Sequence, residues 1–231
     1  MFVEAFFNIF TIVAGDSTSL VSIVIKSLLI SFTSTLFASL FGVVAAVLFY
    51  LFEFRGKSFL LLILNTTLSV PTVVIGLFFY GLLSRSGFLG GLNLLYTQTA
   101  IVIGQFFLIL PIIIAFSFSA LHSLSPFVLK SAKALGANSL FCAKIVIQEA
   151  KFGIIAACIA AFGRAISEVG ISMMLGGNIQ GFTRTMTSSI ALEHNKGNFA
   201  FGLALGIVLL VVTLSINLLF THLQKRGKSD I

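Results

Sequence analysis

The chain has 231 residues, of which 58% are hydrophobic and 9% charged. A soluble domain is about 45–50% apolar and about 25% charged. A soluble enzyme, a disordered chain and a coiled coil are therefore excluded in favour of an all-α membrane protein, a polytopic helical bundle. Fourteen Lys and Arg against seven Asp and Glu give a formal charge of +7, and in so apolar a chain that excess reads first as membrane topology, not as a nucleic-acid surface.

At about 20 apolar residues per span, about five transmembrane helices fit. Residues 1–15, within an N-terminal segment 1–19, have Glu4 and no basic residue. They lack the n-region of a secretory signal. They read as an interfacial amphipathic lead-in, with a short extra span as the alternative. Residues 20–52 form the first span, interrupted only by Lys26 and small polar residues. Glu53–Lys57 is a charged turn. Residues 58–83 form the second span, kinked at Pro71. A Gly-rich connection, 84–97, leads to the third span, 98–121, which contains Pro111. A basic segment, 122–148, precedes the fourth span, 151–174. A polar segment, 176–197, precedes the fifth, 198–222, and the chain ends in a basic tail, 225–231. Gly202 and Gly206 make a GxxxG in the fifth span, suited either to a dimer interface or to packing within one subunit.

Basic residues in short loops orient the spans. Arg55, Lys57, Lys130, Lys133, Lys144, Lys151, Lys225, Arg226 and Lys228 fall on one side, against Arg85, Arg184 and Lys196 on the other. This places segment 122–148 and the C-terminus in the cytoplasm and the N-terminus outside. No internal repeat of the kind found in inverted-repeat secondary transporters is evident.

Within 122–148, Ser125-Pro126 starts a helix, read over Val128 to Leu135. Gly136 breaks it. Ala137-Asn138-Ser139 form a turn with a fresh N-cap, and Leu140 to Ile147 begin a helix that runs into the fourth span. Such a helix–turn–helix is a knob suited to a groove on a partner. Ala132, Leu135, Gly136, Ala137 and Ser139 fit the pattern A-x-x-L-G-A-x-S, which resembles the EAA loop of ABC importer permeases. The family's leading Glu falls on Lys130, its second residue on Ser131, and its closing I-x-L-P on Val146-Ile147-Gln148-Glu149. The resemblance implies a coupling helix, with Lys130, Ser131, Ala132, Lys133, Leu135, Gly136, Ala137 and Ser139 docking on a separate ATPase subunit.

A second block, Arg164-Ala165-x-Ser167-Glu168-x-Gly170, then Gly176-Gly177-Asn178-Ile179 and Thr183-Arg184-Thr185-x-Thr187, is similar to permeases of the molybdate/tungstate importer group, most of all the tungstate type. The resemblance spans residues 20–224 and implies a MetI-like permease domain with its cytoplasmic coupling loop at 122–148. It implies a homodimer in the lipid bilayer of a prokaryotic inner or plasma membrane. It also implies an extracytoplasmic oxyanion-binding protein, and ATP and Mg on the partner ATPase with no cofactor on this chain. Molybdate and sulfate are the alternative substrates within the class.

Arg164 and Glu168, four apart, are read as sharing one helix face. At about 1.5 Å per residue from Lys151, they lie in the outer half of the bilayer. They either line the outer gate or form a self-satisfied pair that orients the helix. Gly176, Gly177, Asn178, Thr183, Arg184 and Thr185 are the other pathway or gate candidates. Residues Thr183 to Glu193 read as a short helix dipping toward the bundle, the alternative being a solvated loop.

No nucleotide or catalytic site is visible. A P-loop needs a Gly five residues before its Gly-Lys-Ser/Thr. Gly56-Lys57-Ser58 has Leu51 there, and Gly227-Lys228-Ser229 has His222. His122, His194 and His222 are scattered, and Cys142 and Cys158 have no metal-ligand spacing. The chain is thus not expected to be an enzyme, and no nucleic-acid partner is expected. A stand-alone secondary transporter or channel is the alternative from another class. It would carry more intramembrane ionisable residues than this pair.

Overall fold

A computed structural model describes the backbone of residues 17–229 and the side chains of residues 20–218. The lead-in 1–15 and the side chains of the basic tail lie outside the described residues. Every regular element among those residues is helical. They are α1 (Ser17–Leu51), α2 (Lys57–Thr67), α3 (Thr72–Leu83), α4 (Gln98–His122), α5 (Pro126–Ala134), α6 (Ser139–Ile166), α7 (Gly170–Gly176), α8 (Met186–Asn195) and α9 (Phe199–Ser229), with a 3-10 turn at Gly90–Leu92. α1, α4, α6 and α9 are each long and apolar enough to cross a membrane. α2 and α3 are a bent pair that makes a fifth span if the two are counted as one.

Two spans differ from the sequence expectation. The second is broken, not kinked: α2 and α3 meet at 101°. Pro71 stands outside α3 as its N-cap, at φ −59° and ψ 131°. Thr66 and Thr67 turn their hydroxyls back onto Leu62 O and Leu64 O, at 2.8 and 2.6 Å. Such back-bonding weakens a helix end, and proline bars the residue before it from helical geometry. The fourth span ends earlier than 174, although its helix runs in from the preceding segment as expected. α6 starts at Ser139 and stops at Ile166, and α7 resumes at Gly170. Pro111, by contrast, stays inside an unbroken α4.

The chain divides into two compact units. One comprises Thr35–Val70 and Phe106–Phe162. Its core gathers Ala46, Val47, Ile114, Leu121, Val146, Ala150 and Ile154. Lipid tails are as apolar as these side chains, so such a core is held by close packing, which small residues permit. A Cβ at Gly42 would stand 2.8 Å from Ile113 Cγ2, and one at Gly153 would stand 2.5 Å from Ala120 Cβ. None of the side chains of α2 is buried in this unit.

The other unit takes the described residues up to Ser34, Pro71–Gln105, and those from Gly163 onward. Here α3 packs on α7 and α8 on α9. Gly202 lies against α8, a Cβ there being 3.7 Å from Ile190 O and 3.8 Å from Glu193 Cβ, while Gly206 faces open space. Gly202 therefore serves packing within the chain. Gln105, 2% exposed, knits this unit together. Its amide nitrogen donates to Ala165 O at 3.0 Å, and its oxygen accepts from Ser34 Oγ at 3.0 Å. Ala165 O lies in the last turn of α6, where Glu168 N also donates to it at 3.2 Å. Gln105→Leu is expected to destabilise the chain by about 1–3 kcal/mol. Thermal melts read by a thiol-reactive dye at buried Cys142 check this.

Candidate functional site

Two sites were expected, and each lies within one unit. The coupling turn is built by strictly local chemistry. Ser125 Oγ caps α5, accepting from Phe127 N at 3.3 Å, and Pro126 occupies the first turn. At the other end Gly136 adopts φ +81°. Gly136 N donates to Lys133 O and Ala137 N to Ala132 O, both at 3.0 Å. These two bonds form a Schellman closure, which calls for a left-handed residue at the Gly136 position. Asn138 then caps α6, its Oδ1 accepting from Phe141 N at 2.8 Å. The predicted helix, glycine turn and second helix are all present, with α5 starting two residues earlier than Val128.

The side chains of this turn point two ways. Ala132 is buried and Ser131 and Ala137 are half-buried, while Lys130, Lys133, Gly136 and Ser139 are exposed. Leu135 is 89% exposed and Leu140 80%. They flank a groove of about 880 Å3 lined mainly by apolar atoms, including Phe141 and Ile147. The exposed apolar surface of the turn is thus concentrated at Leu135 and Leu140, next to the exposed Lys130 and Lys133.

The second site surrounds the gap between α6 and α7. Arg164 Nη1 and Glu168 Oε2 pair at 2.8 Å, but Glu168 lies beyond the end of α6. The expectation that both share one helix face, with Glu168 at helical depth, is thereby corrected. Glu168 is 3% exposed. Its Oε1 accepts from Ile171 N at 3.3 Å, so the carboxylate serves the first turn of α7. Its main-chain oxygen accepts from Ser172 Oγ at 3.1 Å and Thr187 Oγ1 at 2.8 Å. The broken helix is re-satisfied by hydroxyls from within the protein, as an intramembrane break requires.

The remaining candidates converge behind α7. Gly177 (φ +67°) closes α7, and Asn178 follows at φ +51°. Thr183 Oγ1 donates to Gly176 O and accepts from Ile179 N at 3.0 Å. Asn178 Oδ1 accepts from Ser188 Oγ at 2.9 Å, and Arg184 Nη2 donates to Asn178 O at 3.4 Å. Thr185 and Ser188 form a capping box at the start of α8. That helix was expected over Thr183–Glu193 and runs from Met186 to Asn195. Met186, Thr187, Ser188 and Ser189 are all buried, so the segment is packed rather than a solvated loop. Gly177 has a structural reason: a Cβ would stand 2.6 Å from Tyr96 Cδ1. Gly177→Ala is expected to cost about 1–2 kcal/mol from the left-handed backbone alone, visible in the same melts. Tyr96 itself bonds Tyr80 across 3.4 Å between the two hydroxyls, and this pushes its phenol above the ordinary value.

Sequence reasoning missed several partners here. Ser27 Oγ accepts from Met186 N at 2.8 Å, and the Lys26 ammonium donates to Gly181 O. They tie α1 to the polar segment, and Gln98 Nε2, donating to Phe182 O at 2.7 Å, ties α4 to it. No local pattern announces such long-range pairs. The one available signal was a lysine and an amide inside otherwise apolar helices.

Comparison with known proteins agrees with this architecture. Residues 38–229 match the family described as "Binding-protein-dependent transport system inner membrane component". The chain is 39% identical over 214 residues to a Haloferax volcanii protein named "Probable anion ABC transporter permease protein", covering 90% of this chain and 92% of that one. Two proteins named "Tungstate uptake system permease protein TupB" also match. The one from Campylobacter jejuni is 42% identical over 175 residues, 76% of this chain and 73% of that one. The one from Peptoclostridium acidaminophilum is 35% identical over 204 residues, 88% and 90%. In fold, the chain resembles a bacterial ABC transporter involved in alginate import, with a TM-score of 0.77 at 18% identity over 95% of this chain and 83% of that one. The chain therefore belongs to the inner-membrane components of binding-protein-dependent transport systems, the multi-pass permease subunits of ABC importers.

Proposed function

We propose that this permease carries a tetrahedral oxyanion, tungstate, inward across a prokaryotic membrane. Its 122–148 segment and C-terminus are in the cytoplasm, and two copies form the pathway at their interface. An extracytoplasmic binding protein delivers the anion. Two ATPase subunits, holding ATP and Mg, close and push the α5 turns together, and the paired permeases open outward and then reset. The substrate rests on the similarity to the two tungstate permeases and the anion permease.

The observation that carries the coupling role is the rigidly capped turn with Leu135 and Leu140 exposed beside an apolar groove. An apolar anchor in a groove contributes most when water is excluded around it. Leu135→Asp is therefore expected to weaken binding of the purified permease to its ATPase at least about ten-fold, with the melting temperature unchanged. Wild-type affinity in that variant refutes the docking assignment. A stand-alone transporter would move tungstate in vesicles without any ATPase.

A further inference from the structure

The polar segment contains one feature that bracing the bundle does not use. Gln180, Gly181, Arg184, Ser189, Glu193 and Lys196 line a cavity of about 370 Å3, completed by the outset of α1 and α9. Its size is within the range of small-ligand pockets. Ser189 is 2% exposed and its hydroxyl has no hydrogen-bond partner. The Nε of Arg184 is likewise buried and unpartnered. Leaving such donors unmet is costly, and native structures retain them chiefly where a ligand, ion or water meets them.

The charges around the cavity are unequal. Glu193 is the one acidic residue in its lining. Its carboxylate is already engaged by Lys196 Nζ at 2.8 Å and Asn198 Nδ2 at 3.2 Å. Arg184 has no carboxylate partner among the described residues. The lining thus includes one guanidinium with no carboxylate partner and one buried hydroxyl with no partner at all, both donors. The Lys26 ammonium stands on the Gly181 carbonyl that forms part of the wall. A guanidinium and a hydroxyl in the lining of one pocket suit the oxygens of a small tetrahedral anion.

We infer that this pocket is a binding site for a free tetrahedral oxyanion, held by Arg184 and Ser189. It would be a staging point in the permease itself, separate from any site on a binding protein. This rests on the oxyanion-permease reading for the choice of probe.

The test is equilibrium dialysis of tungstate, with sulfate in parallel, against the full chain in phosphatidylcholine nanodiscs. Wild type is expected to bind tungstate saturably. Arg184→Gln is expected to weaken binding about ten-fold or more and Ser189→Ala about three- to ten-fold. Ser189→Ala breaks no hydrogen bond, so its melting temperature without anion stays the same or rises. Arg85→Gln, which alters a basic residue outside this pocket, leaves binding unchanged. No saturable binding by wild type, or wild-type affinity in both pocket variants, overturns the inference and leaves the pocket to water. A second series adds phosphatidylglycerol. Unchanged tungstate affinity supports a free anion, whereas displacement assigns the pocket to lipid phosphate and overturns it. An importer that carries tungstate while its permease binds none refutes the pocket alone. Binding by a permease that carries no tungstate upholds the pocket and refutes the transport reading.

Discussion

Replacing Gly136 with proline is expected to abolish ATP-driven transport while the chain still folds and inserts. Proline fixes φ near −65° and has no N–H. Gly136 sits at φ +81° and donates to Lys133 O. The substitution breaks both halves of the closure, at a local cost of about 3 kcal/mol or more. The damage stays in the turn, since Gly136 is exposed and a Cβ there would meet nothing within 4 Å. Gly136→Ala should fall between, costing about 1–2 kcal/mol. In reconstituted importer, Gly136→Pro should therefore lower uptake per ATP hydrolysed by at least about ten-fold. Normal uptake would mean that α5 and its turn do not transmit the stroke.

The second large effect is expected at Glu168. Removing one partner of a buried pair costs about 3–5 kcal/mol. The Arg164 side chain is 38% exposed, so water takes up part of that loss. About 2–3 kcal/mol is the expected cost of Glu168→Ala, because Ile171 N also loses its acceptor. Glu168→Gln keeps an acceptor oxygen for Ile171 and should cost about half as much. Transport should fall in step with the melting temperature. Every polar atom of the Glu168 side chain already has a partner within the chain, which favours a bracing role over a lining one. Loss of transport at an unchanged melting temperature would reverse that assignment.

Much of the fold was legible because membrane spans are written in composition. A run of apolar residues as long as Leu20–Leu51 admits few other structures. The coupling turn was legible for another reason. Pro126, Gly136 and Asn138 act through neighbours within five residues, so their chemistry is local. The two helix breaks were not. Nothing between Arg164 and Val169 is a proline or glycine, and the gap exists because Gln105, Ser172 and Thr187 meet its carbonyls. Two of those partners lie 60 and 19 residues away. Pro71 announced a disturbance but not its size. The 101° bend reflects the hydroxyls of Thr66 and Thr67 acting with the proline. At the polar segment, Gly177, Thr183 and Thr185 were found by motif, whereas Lys26, Ser27 and Ser189 gained meaning only once α1 and α8 were placed beside them.

The proposed role of this chain is the membrane pathway of an ATP-driven tungstate importer. The most direct measurement is tungstate uptake into proteoliposomes holding the permease and its ATPase, with binding protein on the outside. Accumulation should require ATP inside and binding protein outside, and tungstate should outcompete sulfate. Uptake that proceeds at the same rate without ATP or without the ATPase would contradict it.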